Sequence, residues 1–153
     1  ANATHPILRG VTDVFGDTDV YEAYPPADAT ILLRGQVLKG MAPTDPPAAY
    51  PKTRATDKAT QDVNTPMMPV AWVREFKQEN GTTNKVFTTT MGSATDLKNE
   101  DLRRLVVNSI FWSLNMEVPA KADVTLDAPY TPSNYGFDGF KKSQKPTDFT
   151  PTK

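Results

Sequence analysis

The sequence predicts an α/β protein, and three patterns carry this prediction. Two stretches rich in β-branched and aromatic residues, 70–76 and 85–91, flank a polar segment that contains Asn80-Gly81, a strong signal for a β-hairpin. A long segment follows in which apolar residues recur at the three- and four-residue spacing of an amphipathic α-helix. Strand, loop and helix in this order form the kind of junction at which α/β proteins build sites.

Length and composition limit the classes of protein to which the chain can belong. Its 153 residues suit one domain, and its 17 basic and 18 acidic residues nearly cancel, so we expect no nucleic-acid partner. No apolar run approaches the length of a membrane span. Without cysteine the chain has no disulfide, thiolate nucleophile or cysteine-ligated metal, which is compatible with the cytoplasm or an oxidising compartment. We expect no metal site and identify no cofactor, although an oxygen-only cation site stays open.

The region before the hairpin is predicted to be less regular. Residues 20–24 predict a short strand, and residues 29–38 predict a longer one in which Gly35 marks a bulge. Residues 40–66 are rich in Pro, Thr, Ala and Asp and show no periodicity. Such a stretch is typical of an exposed insertion without regular structure.

The strand at 70–76 has apolar residues on both faces, which favours an internal position in the sheet. The helix is predicted over 97–115, with Asp96 or Asn99 as its N-terminal cap and Pro119 as its end. Its wide apolar face is expected to pack on a sheet. We assign to that face Leu102, Leu105, Val106, Ile110 and Leu114, with Val107 and Phe111 widening it.

The last part of the chain, 119–153, is predicted to be an extended tail rich in proline. Its aromatic content exceeds that of a disordered linker, so we interpret it as an arm that lays aromatic anchors on a surface of its own chain or of a partner. The aromatic residues are Tyr130, Tyr135, Phe137, Phe140 and Phe149. Residues 1–118 are then the folded domain.

Five short stretches together resemble a known family. They are His5-Pro-Ile-Leu-Arg-Gly10, Phe15 with Asp19-Val-Tyr21, Pro69-Val-Ala-Trp72, Lys85-Val-Phe-Thr-Thr-Thr-Met-Gly92, and Arg103-Arg-Leu-Val-Val-Asn-Ser-Ile-Phe-Trp112. In this order they resemble the later half of ThuA-like (trehalose-utilisation) domains. The similarity covers about residues 5–116, and residues 132–140 resemble an extension found in bacterial members.

The resemblance implies a partial flavodoxin-like, class I glutamine-amidotransferase-like sandwich, in which helices flank a parallel sheet. The first βαβ units of that sheet would lie in an earlier half that this sequence does not contain. We therefore expect the chain to be a fragment rather than a shortened variant. The partner of this fragment would be the missing N-terminal half of the domain or another subunit. The sheet should then show an open edge strand, and helix 97–115 should pack on strands from outside the chain. The resemblance also implies carbohydrate metabolism, oxidised sugars included, and a sugar ligand.

The loop Gly92–Asp96 is the predicted ligand site, because ligands of open α/β sheets bind between a strand's carboxyl end and a helix N-terminus. Ser93, Thr95 and Asp96 are predicted to contact a hydroxylated or anionic ligand. The alternative is that these side chains only cap the helix and shape the turn. Related sequences often carry histidine where Ser93 stands, so amidotransferase chemistry is not expected here.

The remaining candidates lie near the start of the chain. His5, the single histidine, is predicted to be an acid–base group; the alternative is a turn histidine whose ring bonds to nearby backbone. Tyr21 and Glu22 are further ligand-binding candidates, although Glu22 also fits a solvated position. The leading hypothesis joins His5 and the 92–96 loop in one site. The alternative is a non-catalytic binding or scaffold module of a larger assembly.

Overall fold

A computed structural model describes residues 4–134, 136 and 142–150. The described chain is a mixed α/β structure with two antiparallel sheets and one α-helix. The strands are β1 (Thr30–Gly35), β2 (Pro51–Thr53), β3 (Thr60–Asp62), β4 (Met68–Lys77) and β5 (Thr83–Thr89). The α-helix is α1 (Glu100–Ser113), and short 3-10 helices span Pro6–Leu8, Asp96–Lys98 and Pro146–Phe149.

The larger sheet has the strand order β1-β4-β5, and each neighbouring pair is antiparallel. The predicted hairpin is confirmed, and so is the internal position of its first strand. Its turn is closed by the Gln78 N–H, which donates to the Thr82 carbonyl at 2.8 Å. Gly81 has φ +83°, a conformation that glycine adopts without steric cost. A parallel sheet of the kind that the resemblance implies does not occur among the described residues.

Two predictions about the first strands are wrong. Residues 20–24 form no strand, and the bulge of β1 lies between Ile31 and Arg34, where the pairing with β4 shifts, rather than at Gly35. Gly35 instead ends the strand at a close approach, because a Cβ atom there would lie 2.6 Å from Val70 Cγ1. The glycine therefore serves the contact between two strands.

Residues 40–66 also differ from expectation, because they contain the two-stranded sheet of β2 and β3. Asn64 ties this segment to the end of β1. Its Nδ2 donates to the carbonyls of Val37 and Ala48, and its Oδ1 accepts from the Val37 N–H at 2.8 Å. The strand residues are largely exposed and polar, so they lack the alternation by which a strand is recognised in a sequence.

The helix begins at Glu100, later than the predicted residue 97, and it ends earlier than predicted. Asn99 caps it through Oδ1, which accepts from the Leu102 N–H at 2.8 Å. It ends at Ser113, before Pro119, and Asn115 then takes a positive φ of 58°. The predicted apolar face is wrong at two positions, because Ile110 and Leu114 are 53% and 64% exposed. The buried residues are Leu102, Arg104, Leu105, Asn108, Ser109 and Trp112.

The core lies between α1, the first 3-10 helix and the larger sheet. Its buried members are Ile7, Leu32, Ala71, Val73, Leu102, Leu105, Trp112 and Val118. The helix thus packs on strands of its own chain, which contradicts the expectation that those strands come from outside. Asn108 joins the helix to the N-terminal segment, because its Nδ2 donates to the carbonyls of Ile7 and Arg9. The outer edges of β1 and β5 have no strand partner among the described residues.

The tail begins as an extended arm, residues 118–130, that lies along α1. Three arginine side chains donate to its carbonyl oxygens: Arg9 to Val118, Arg104 to Ala122 and Arg103 to Val124. Its last residue, Tyr130, donates its hydroxyl to the Ala94 carbonyl at 2.8 Å. The arm is therefore fixed on its own chain. The anchors predicted at Tyr135, Phe137 and Phe140 lie outside the described residues, and Phe149 is exposed.

Candidate functional site

An irregular segment, residues 11–24, crosses the protein between the first 3-10 helix and β1. We call it the strap. It forms neither helix nor strand, so side chains must hold it in position. Three carboxylates do so, those of Asp101, Asp96 and Glu22. Their contacts explain where most of the predicted site residues lie.

Asp96 is buried and fastens the middle of the strap. Its carboxylate accepts from the Thr18 hydroxyl at 2.9 Å and from the N–H groups of Gly92 and Ser93 at 3.0 and 3.1 Å. Burial opposes ionisation, but the hydrogen bonds from Gly92, Thr18 and Ser93 outweigh it and hold the pKa of Asp96 below its ordinary value. The strap approaches closely here, since a Cβ atom on Gly16 would lie 3.0 Å from Asp96 Oδ1.

The other two residues of the predicted loop site are also engaged within the protein. The Thr95 hydroxyl donates to Asp17 Oδ1 at 2.5 Å, and Ser93 Oγ accepts from the Asp96 N–H at 3.3 Å. Ser93 and Thr95 are themselves joined by a hydrogen bond of 3.1 Å. The structure thus brings Ser93, Thr95 and Asp96 together, and their polar atoms shape the turn and anchor the strap.

Asp101 fastens the start of the strap, a role that the sequence did not reveal. Its Oδ2 accepts from the N–H groups of Thr12 and Asp13, both at 2.7 Å, and from the Thr12 hydroxyl. Burial opposes ionisation of this group too, yet the hydrogen bonds from Asp13 and Thr12 lower the pKa of Asp101. The only sequence signal was an acidic residue in the first turn of a helix, which many solvated helices share.

Glu22 fastens the end of the strap to the turn between β2 and β3. It accepts from the Thr56 hydroxyl and the Ala55 N–H, both at 2.7 Å, and from the Tyr24 hydroxyl at 2.9 Å. These hydrogen bonds lower the pKa of Glu22 to about 2, and the bond from the Thr56 hydroxyl has the largest effect. Glu22 is therefore bound by its own chain, whereas the neighbouring Tyr21 is exposed.

His5 lies elsewhere, at the far end of the helix. Its Nδ1 accepts from the Ile7 N–H at 3.3 Å, and its ring lies 5.4 Å from that of Trp112 in the last turn of α1. The helix has 14 residues and is about 21 Å long, and the 92–96 loop precedes its first turn. His5 and the loop therefore do not form one site. Burial lowers the pKa of His5, against the influence of Glu75.

A cleft of about 540 Å³ opens between the strap and the end of β1. Phe15, Asp17 and Asp19 line it from the strap, Arg34 and Gln36 from β1 and the residues after it, and Met91 from the chain just after β5. Its volume and its mixture of apolar and convergent polar groups are typical of small-molecule sites. The sequence did not reveal this cleft, because Asp17 and Asp19 fit a simple turn.

Comparisons with known proteins add no assignment, since no family model, curated protein or solved structure matches this chain. The described part of the chain has no group of three or more His, Asp or Glu side chains arranged to hold a metal ion. It also has no helix with the length and apolar character needed to cross a membrane.

We expect Asp96→Asn to lower the free energy of unfolding at pH 7 by about 1–3 kcal/mol, because an amide NH2 replaces an acceptor of three partly buried hydrogen bonds. The folded pKa of Asp96 is lowered, so its contribution is present above the unfolded pKa of about 3.9 and is lost as pH falls through the folded value. Urea unfolding measured at pH 7 and at decreasing acidic pH should show the two proteins converging in acid. Asp127→Asn, on an exposed arm residue, is the control. A constant difference at all pH values would contradict the assignment.

Proposed function

We propose that this chain is a ThuA-like α/β domain with a role in carbohydrate metabolism, oxidised sugars included, and that its cleft binds a small hydroxylated ligand. The observation that carries the proposal is the 540 Å³ cleft beside the 92–96 loop. The loop takes part through the strap, which Thr95 and Asp96 hold in place as one wall of the cleft. The ligand thus lies beside the predicted loop.

The lining of the cleft suits a sugar. Asp19, Gln36 and Arg34 offer acceptors and donors for hydroxyl groups, and Phe15 and Met91 offer apolar surface for the C–H faces of a ring. No histidine, serine or lysine lines the cleft among the described residues. We therefore propose ligand binding without amidotransferase chemistry in this part of the molecule.

We also propose that the domain belongs to a flavodoxin-like, amidotransferase-like sandwich. In support, α1 covers one face of a sheet whose edge strands, β1 and β5, have no strand partner among the described residues. An N-terminal half of such a domain, or another subunit, could extend the sheet at either edge, because an unpaired edge offers free N–H and C=O groups.

The cleft predicts a matched pair of variants. Met41, 71% exposed, lies at the cleft, and Met116, 53% exposed, does not. We expect Met41→Trp to obstruct the cleft and weaken sugar binding about tenfold or more, equivalent to about 1.4 kcal/mol, whereas Met116→Trp should leave binding unchanged. Isothermal titration of wild type and both variants with glucose, mannose and trehalose measures this. Lack of binding to wild type, or equal binding by Met41→Trp, would contradict the proposed function.

A second candidate function, a non-catalytic binding or scaffold module, has a separate observation in its favour. A groove of about 350 Å³ runs between α1 and the arm, and most of its lining is apolar. Ile110, Leu114 and Met116 lie exposed on or just after the same helix. Ile110→Lys should then abolish association of the chain with a partner protein and leave sugar titration unchanged, which separates the two functions.

A further inference from the structure

A smaller cavity of about 120 Å³ adjoins the cleft. The two share three lining residues, Asp19, Val20 and Val37, so the end of the strap is the ridge between them. It is much smaller than the cleft, so it suits a small group such as a carboxylate or a phosphate better than a whole sugar ring.

Lys52 in β2 places a positively charged side chain at the smaller cavity. Among the described residues it is the one lysine that lines either cavity; it is exposed, and its ammonium group has no hydrogen bond or ion pair with any of them. In the described chain three other charged side chains line the smaller cavity, and two of them, Arg54 and Glu22, are already engaged, whereas the third is Asp19 on the ridge. Arg54 is paired with Asp57, and Glu22 accepts three hydrogen bonds from its own chain.

The two cavities differ in the charge that they favour. Among the described residues three carboxylates, Asp13, Asp17 and Asp19, line the cleft against one cation, Arg34. An anionic group is therefore disfavoured in the cleft by like charge. The smaller cavity balances two carboxylates, Asp19 and Glu22, with two cations, Arg54 and Lys52, so it repels an anionic group less than the cleft does. The unpaired ammonium of Lys52 can donate to such a group, and charge-assisted hydrogen bonds are the stronger ones.

We propose that the ligand is a sugar with one acidic group, a carboxylate or a phosphate, which enters the smaller cavity and pairs with Lys52. The sugar ring lies in the cleft, and the acidic group passes the ridge at Asp19 and Val20. This inference rests on the proposed function, because it names the chemical class of the ligand of the same cleft. Lys52 is then the residue that distinguishes acidic from neutral sugars.

The experiment titrates the protein with glucose, glucuronate and glucose 6-phosphate, which share a sugar ring and differ in the acidic group. Wild type should bind at least one of the two acids more tightly than glucose, and Lys52→Ala should weaken binding of that acid about tenfold while leaving glucose unchanged. Lys52→Arg should restore much of the affinity. Raising the salt concentration should weaken binding of the acid and not of glucose. The acid that responds to Lys52→Ala shows whether a carboxylate or a phosphate is preferred.

Lys39→Ala is the matched control, because Lys39 is exposed and lines neither cavity. If it weakens acid binding as much as Lys52→Ala does, the effect is one of general charge and the inference is wrong. If glucose binds, Met41→Trp blocks its binding, and neither acid binds more tightly than glucose, this inference is wrong while the proposed function stands. If wild type binds neither glucose nor either acid, the proposed function fails with it.

Discussion

Arg104→Ala is expected to lower the free energy of unfolding by about 3–5 kcal/mol, because a large buried side chain is removed together with its hydrogen bonds. The Arg104 side chain is 2% exposed and pairs with Glu100 and Asp101. It also donates to the carbonyls of Ala122 and Gly10, at 3.0 and 3.3 Å. Its removal therefore leaves two backbone acceptors without a donor and opens a cavity between the helix, the arm and the N-terminal segment.

Urea unfolding followed by circular dichroism measures this effect. Arg104→Lys should fall between wild type and Arg104→Ala, because an ammonium keeps the charge but cannot reach the same set of acceptors. Arg34→Ala, on an exposed strand residue, is the control and should change stability far less. A loss below about 1 kcal/mol for Arg104→Ala would match an ordinary surface pair and contradict the structural role given to Arg104.

Leu105→Ala should lower the free energy of unfolding by about 2–5 kcal/mol, the range for a leucine removed from a core. Leu105 is fully buried and belongs to the cluster between α1 and the sheet. Ile110→Ala, in the same helix, should lower the free energy of unfolding by less than about 0.5 kcal/mol, apart from the difference in helix propensity between the two residues, because surface substitutions are near neutral. Ile110 is 53% exposed.

The same unfolding measurements test this pair. The two substitutions remove similar apolar side chains from one helix. A difference between their losses of unfolding free energy therefore reports the burial of the side chain rather than an effect on the helix itself. Equal losses would mean that a partner or another part of the chain covers Ile110. A greater loss for Ile110→Ala than for Leu105→Ala would contradict the orientation of the helix described above.

The hairpin and the helix were predictable because each has a local periodic signal, but the helix face was only partly so. The apolar pattern placed Ile110 in the core, whereas the structure buries Arg104 and Asn108. The cause is the neighbouring chain. The N-terminal segment and the arm present backbone carbonyls to the helix, and such groups need donors when they are buried. Polar side chains that serve distant carbonyls look like solvated ones in a sequence.

The candidate site follows the same rule. The sequence identified the 92–96 loop as a place of interest, and that loop does anchor the wall of a cleft. It could not show that Asp96 and Thr95 engage the strap, since their partners Thr18 and Asp17 lie 78 residues earlier. It could not show the cleft either, because that cavity is formed by irregular chain whose shape depends on these long-range bonds.

The way in which the strap is fastened has a consequence for how such a protein can diversify. Two of the three fastening carboxylates, Asp96 and Asp101, lie outside the strap. The donors to Asp101 are mainly backbone N–H groups, those of Thr12 and Asp13. Backbone donors are supplied by almost any residue. The side chain of Phe15, which lines the cleft between the fastening points, can therefore be exchanged without loosening the attachment, whereas the neighbouring Val14 also packs against the core. Ligand preference and fold stability can thus change separately along one short stretch of chain.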